Sequence, residues 1–146
     1  MKSFNSLDGH GVNSHGVKML QSVGVQTAII NRTQVGHRRG AREGTGHHAS
    51  LSGRRKQDRS ACRIALETTG IAASECGYMG DDWPNLSVMR RCGFAPAPVN
   101  AHPEVIQRVH WVAEACGGHG AVREVCDEIL RAQQKYDALL AAALGA

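Results

Sequence analysis

The stretch GYMGDDWPN, residues 77–85, decides how the rest of the chain is read. ECGYMGD (75–81) reads as a strand that runs into acids. In an α/β fold, ligands bind beyond the carboxyl ends of the strands, so carboxylates at such an end mark a place for chemistry. Gly80 lets the backbone come close to a bound group. Adjacent Asp81 and Asp82 suit a hard cation such as Mg²⁺, which takes oxygen ligands and keeps waters for a phosphate. The same pair also suits a solvated acidic turn or a helix N-cap, because Asp is common at helix starts. Spacing alone leaves these readings open.

Working outward, the flanks alternate between helix and strand patterns. NLSVMRRCG (85–93) predicts a short helix and FAPAPV (94–99) a strand or loop. HPEVIQRV (102–109) starts with proline near a helical N1 position, which favours helix. HWVAE (110–114) is a further strand candidate. From Ala121 to Leu144 one helix is predicted, with Val122, Val125, Ile129, Leu130, Gln133, Tyr136, Leu139 and Leu140 on a mostly apolar face. Upstream, SACRIALETTG (60–70) is a helix closed by Gly70. GVKMLQSV (16–23) places Val17, Leu20 and Val23 at helical spacing beside Met19, and Gly24 ends it. VQTAII (25–30) is β-branched and apolar and reads as a buried strand. Helices interleaved with such strands predict an α/β sheet with parallel strands.

The bulk properties narrow the class. A chain of 146 residues suggests one domain with a modest core. Hydrophobic residues make up 42%, against disorder, and aromatics only 4%, so the core is expected to be aliphatic. No apolar run of about 18 residues exists, and MKSFNSLDGHG carries no signal-peptide core, so a cytoplasmic location is expected. The five cysteines (Cys62, Cys76, Cys92, Cys116, Cys126) have no C-x-x-C spacing. They read as small buried thiols in a reducing compartment rather than a disulfide or zinc framework. Cys62 and Cys126 lack an evident base to act as nucleophiles. Trp83 and Trp111 read as packing residues.

The net charge of +4 is confined to one segment. Between residues 32 and 59 stand eight basic residues and two acids, and the remainder is slightly acidic. Residues 31–59 show no period and are broken by Gly36, Gly40, Gly44, Gly46 and Gly53, so this segment is expected to be irregular. RNA binding through it is the one nucleic-acid reading. The segment holds no Phe, Tyr or Trp for base stacking, which argues against it. His47 and His48 read as loop residues. DGHGV (8–12) is followed directly by NSHGV (13–17), as though a unit of five were copied.

KSFNSLDGHGV (2–12), GVQTAII (24–30), the run ASECGYMGDDWPNLSVMRRCGFAPAPVNAHPEV (73–105) and GGHGAVREVCDEIL (117–130) together resemble the 3-deoxy-D-manno-octulosonate 8-phosphate phosphatases of the haloacid-dehalogenase-like superfamily. The resemblance covers residues 2–30 and about 61–135. It implies a Rossmann-like three-layer α/β/α fold with a parallel sheet and a Mg²⁺-dependent phosphomonoesterase. The substrate would be an eight-carbon sugar-acid phosphate on the route to lipopolysaccharide, and the assembly a homotetramer. It implies Asp81 as metal ligand, with Asp82 and Asn85 supporting the metal site; Asn85 stands where the family has a further carboxylate. Arg32 and Lys56 are the candidates for holding phosphate or substrate, and Gly117, Gly118, Gly120 and Arg123 match the C-terminal motif.

The family's nucleophile motif, D-x-D-G-V-x-T-D, is expected to precede residue 1, and with it the first, central strand of the sheet. The fold is therefore expected to be incomplete and the chain inactive, with a non-catalytic subunit as the alternative role. The departures cluster at 31–59. Read one nucleotide later with permitted wobble bases, this segment can give T-G-R-K-S and H-L-Y-Q-G-V-x-N-K, the family's second and third motifs. A frame shift is the expectation that the gene's nucleotide sequence tests.

Overall fold

The computed structural model describes residues 15–31, 50–52 and 57–145. Arg32, Lys56, His47, His48 and most of the basic segment lie outside the described residues, as does most of the five-residue repeat. The elements run in the order α1 (His15–Ser22), β1 (Ile29–Asn31), β2 (Ser50–Ser52), α2 (Gln57–Thr69), a 3-10 turn (Ala73–Glu75), α3 (Trp83–Met89), β3 (Pro96–Ala97), α4 (Pro103–Ile106), β4 (Trp111–Val112), α5 (Ala121–Ala132) and α6 (Tyr136–Ala143). The strands pair in parallel, as the interleaved pattern requires: Ile29 sits opposite Ser50, and Pro96 opposite Trp111.

Around β3 the parallel ribbon is wider than its two short strands. Gly77 bridges Phe94. The Tyr78 N–H donates to the Phe94 carbonyl at 3.0 Å, and the Phe94 N–H to the Cys76 carbonyl at 3.2 Å. On the other side the Ala113 N–H donates to the Ala97 carbonyl at 2.8 Å. Residues 76–80, 94–97 and 111–113 therefore form three neighbouring rungs, all pointing the same way. Ala95, Ala97 and Pro96 are buried, and Met89, Ala101 and Val105 close over the alanines. These small side chains on the middle strand let α3 and α4 lie close to it, which is how a chain with so few aromatics fills this core.

A second core joins α1 to α5. Leu20, Cys126 and Leu130 are buried together, with Val17, Met19, Val122 and Ile129 around them. Gly16 makes this approach possible: a Cβ there would stand 3.0 Å from Arg123 Cδ and 3.1 Å from Cys126 Cβ.

Four sequence expectations are corrected. The helix expected over 121–144 is two helices, because the chain turns at 133–135. There the Lys135 N–H donates to the Leu130 carbonyl at 2.8 Å and Gln134 takes a left-handed φ of 57°. The segment 31–59 is not irregular throughout: β1 reaches Asn31, β2 spans Ser50–Ser52 and α2 starts at Gln57. VQTAII contributes only Ile29 and Ile30 to a strand, and Ile29 is 38% exposed, so this is not a buried strand. Of the five cysteines only Cys126 is buried; the others are half-buried.

Candidate functional site

Asp81 and Asp82 stand where the 76–80 rung ends and α3 begins. Asp82 is the N-cap of α3, and its carboxylate accepts from the Trp83 N–H at 2.8 Å. Asn85, three residues on, returns its Oδ1 to the backbone N–H of Asp82 at 3.1 Å and of Asp81 at 3.2 Å. This is a capping box with an asparagine in the third position, and Pro84 in the first turn costs no helix hydrogen bond. The Asn85 amide donates onward to the Tyr78 hydroxyl at 3.2 Å. Gly80 is required by this packing, since a Cβ there would lie 2.5 Å from Asn85 Cβ.

The division of labour between the two acids follows. Asp82 is spent on its helix. The Asp81 carboxylate is exposed, and no described residue hydrogen-bonds to it. Its backbone is held at both ends: the N–H by Asn85 and the carbonyl by the His102 N–H at 2.8 Å. A Mg²⁺ ion needs only one or two protein carboxylates, the rest of its shell being water and phosphate oxygen. Asp81 fits that demand. Among the described residues no group of three or more His, Cys, Asp or Glu is placed to hold a metal.

Trp83 does not pack in the core: it is 60% exposed. Its indole N–H donates to His102 Nδ1 at 2.9 Å, and the two rings meet edge to face at 5.4 Å. Trp111 is half-buried.

The residues of the C-terminal motif are brought together, but around the end of β4. The Gly117 N–H donates to Asn100 Oδ1 at 2.8 Å. Gly118 and Gly120 take positive φ of 77° and 114°, which turns the chain into α5. Glu124 then reaches back and accepts from the backbone N–H of Glu114 at 2.8 Å and Ala115 at 3.1 Å. Arg123 is paired with Asp127 at 2.8 Å, the two side chains only 25% and 15% exposed. Asn100, His102 and Glu124 were not singled out in the sequence. The signal for Glu124 was a carboxylate in the first turn of a helix, where it complements the exposed N–H groups.

No model of a known protein family matches the chain. The chain is 34% identical over 139 residues to 3-deoxy-D-manno-octulosonate 8-phosphate phosphatase from Escherichia coli K12, covering 94% of this chain and 70% of that one. It is 33% identical to the Yersinia pestis enzyme of the same name over the same shares. Among solved structures, a haloacid-dehalogenase-superfamily (subfamily III A) hydrolase from Legionella pneumophila superposes with a TM-score of 0.79 at 34% identity, covering 99% of this chain and 76% of that one. The Moraxella catarrhalis 3-deoxy-D-manno-octulosonate 8-phosphate phosphatase, solved with magnesium, phosphate and the sugar acid, gives a TM-score of 0.77 at 28% identity over 97% of this chain and 78% of that one. The parallel α/β architecture, the acids at a strand end and these likenesses agree: the chain belongs to the 3-deoxy-D-manno-octulosonate 8-phosphate phosphatases of the haloacid-dehalogenase superfamily.

Proposed function

We propose that the chain carries the metal-binding part of a Mg²⁺-dependent phosphomonoesterase acting on 3-deoxy-D-manno-octulosonate 8-phosphate, and that Asp81 is its metal ligand. The observation that carries this is the exposed Asp81 carboxylate, unspent on any described residue while its backbone is fixed from both sides. Asp82 and Asn85 support the site by building the turn that presents Asp81. When bound, the ion would neutralise charge on the phosphoryl oxygens. Arg32 is assigned to the phosphate by likeness of motif alone, and Lys56 only because it lies near the position of the family's lysine, where Asp58 stands. The five free thiols fit a reducing cytoplasm, and the described helices include none long and apolar enough to cross a membrane.

An aspartyl nucleophile with a second Asp two residues on is the chemistry this family uses, and these 146 residues contain no D-x-D pair. We therefore propose that they bind metal without turning substrate over unless such a pair is supplied from outside them. An assay of the 146-residue chain with Mg²⁺ and the sugar-acid phosphate is expected to release no phosphate. Calorimetry is expected to show Mg²⁺ binding that Asp81→Asn abolishes. Turnover lost in Asp81→Ala would overturn the inactivity; Mg²⁺ binding unchanged in Asp81→Asn would overturn the metal assignment.

We also propose that the chain assembles with copies of itself. Leu140 on α6 and Leu144 just beyond it are exposed, and α6 buries no residue. Size-exclusion chromatography with light scattering is expected to give a mass above that of one chain, reduced by Leu140→Ser with Leu144→Ser.

A further inference from the structure

Besides accepting α4 backbone N–H groups at its carbonyl, His102 makes three further hydrogen bonds. Its backbone N–H donates to the Asp81 carbonyl at 2.8 Å. Its Nδ1 accepts from the Trp83 indole N–H at 2.9 Å and from the Glu104 backbone N–H at 3.1 Å. A nitrogen that accepts twice carries no hydrogen, so the ring proton sits on Nε2. One residue thus ties together three pieces: its backbone holds the Asp81 loop, and its imidazole joins the first residue of α3 to the first turn of α4. These join the ends of two neighbouring rungs of the ribbon, 76–80 and 94–97, at the edge where ligands of α/β folds bind.

We infer that His102 is a positioning residue for Asp81, acting through Trp83. Asp81 and Trp83 are two residues apart, with Asp82 between them engaged in the α3 cap. Anchoring the indole on the opposite loop fixes the far side of this tight turn, as Asn85 fixes the near side. The carboxylate between them is then held where a divalent cation can meet it without first ordering the loop. Groups that hold a metal ligand in place matter in this way without touching the ion. The inference rests on the reading of Asp81 as the metal ligand.

A purely structural role for the His102 side chain would use only the Glu104 bond, which caps α4. Trp83→Phe separates the two, because it removes the indole N–H and leaves that cap in place. Mn²⁺ binding to the full 146-residue chain, followed by electron paramagnetic resonance, is the measurement. His102→Ala and Trp83→Phe are each expected to weaken Mn²⁺ by about 10- to 100-fold. His102→Asn, whose amide oxygen can accept where Nδ1 does, is expected to recover most of the affinity. Trp83→Phe keeps the test intact where His102→Ala lowers the melting temperature. Wild-type affinity in both Trp83→Phe and His102→Ala, with none in Asp81→Asn, would overturn the positioning role and leave Asp81 standing. Mn²⁺ binding unchanged in Asp81→Asn, or absent from the wild-type chain, would overturn the metal reading and this inference with it.

Discussion

Gly80 is small for a steric reason. A methyl group there would press on Asn85 Cβ at 2.5 Å and Cγ at 2.8 Å, and Asn85 holds the backbone of both acids. Gly80→Ala is therefore expected to cost about 1–3 kcal/mol, read as a lower urea midpoint, and to weaken Mg²⁺ binding at the same time. At Gly93 the conflict is with backbone: a Cβ would sit inside the Ser74 carbonyl oxygen. Nearby, burial and then the Glu75 carboxylate push the Cys76 thiol up, while burial and then Cys76 push Cys92 up. The folded chain thus keeps these protons longer than the unfolded one. Stability from this source is full below the ordinary thiol value of 9.0 and falls as pH rises past it. The urea midpoint is expected to drop above that pH, less steeply in a Cys76→Ser, Cys92→Ser double variant. At this scale the sequence pointed to the turn that holds Asp81, because a carboxylate at a strand end is a pattern. It did not show that Asn85, standing where the family has a carboxylate, holds the backbone of both acids. That depends on where an amide oxygen points, which no spacing encodes.

The 121–144 stretch shows what periodicity can and cannot settle. Its apolar positions keep helical spacing through the break, so the pattern runs on while the backbone does not. Gln133 and Gln134 carry no Gly or Pro signal, yet Gln134 takes the left-handed position that usually falls to glycine. The Lys135-to-Leu130 and Gln134-to-Arg131 hydrogen bonds close the helix end around it. The Arg131 guanidinium lies 4.4 Å over the Tyr136 ring, binding the two helices across the turn. Gln134→Gly is expected to stabilise the fold by about 0.5–1 kcal/mol, seen as a higher thermal midpoint. Long-range contacts won here over local propensity: Tyr136 and Leu139 lie against the α1–α5 core, and an unbroken helix would carry them past it. The short strands were the least legible elements, since Pro96–Ala97 has no alternation and is defined by its two neighbours.

At the scale of the whole molecule, the parallel architecture could be read from alternating patterns, and the family from motifs in order. The pairing of α1 with α5 could not, because nothing local links residues more than a hundred positions apart. Leu20 is buried at that joint, and Leu20→Ala is expected to cost about 2–5 kcal/mol, measurable by denaturant titration.

The contact between Gly16 and Cys126 also has a kinetic meaning. The rungs at 76–80, 94–97 and 111–113 close loops of modest length, whereas docking α1 on α5 closes a loop of more than a hundred residues. Closure entropy rises with loop length, and contacts of high sequence separation form late. Residues 73–132 are thus expected to collapse first, with α1 arriving as the last piece. Leu20→Ala should then speed unfolding and leave the folding rate almost untouched, with a φ value below about 0.3. The amides of α1 should exchange with deuterium through a partial opening that leaves the Asp81 turn closed.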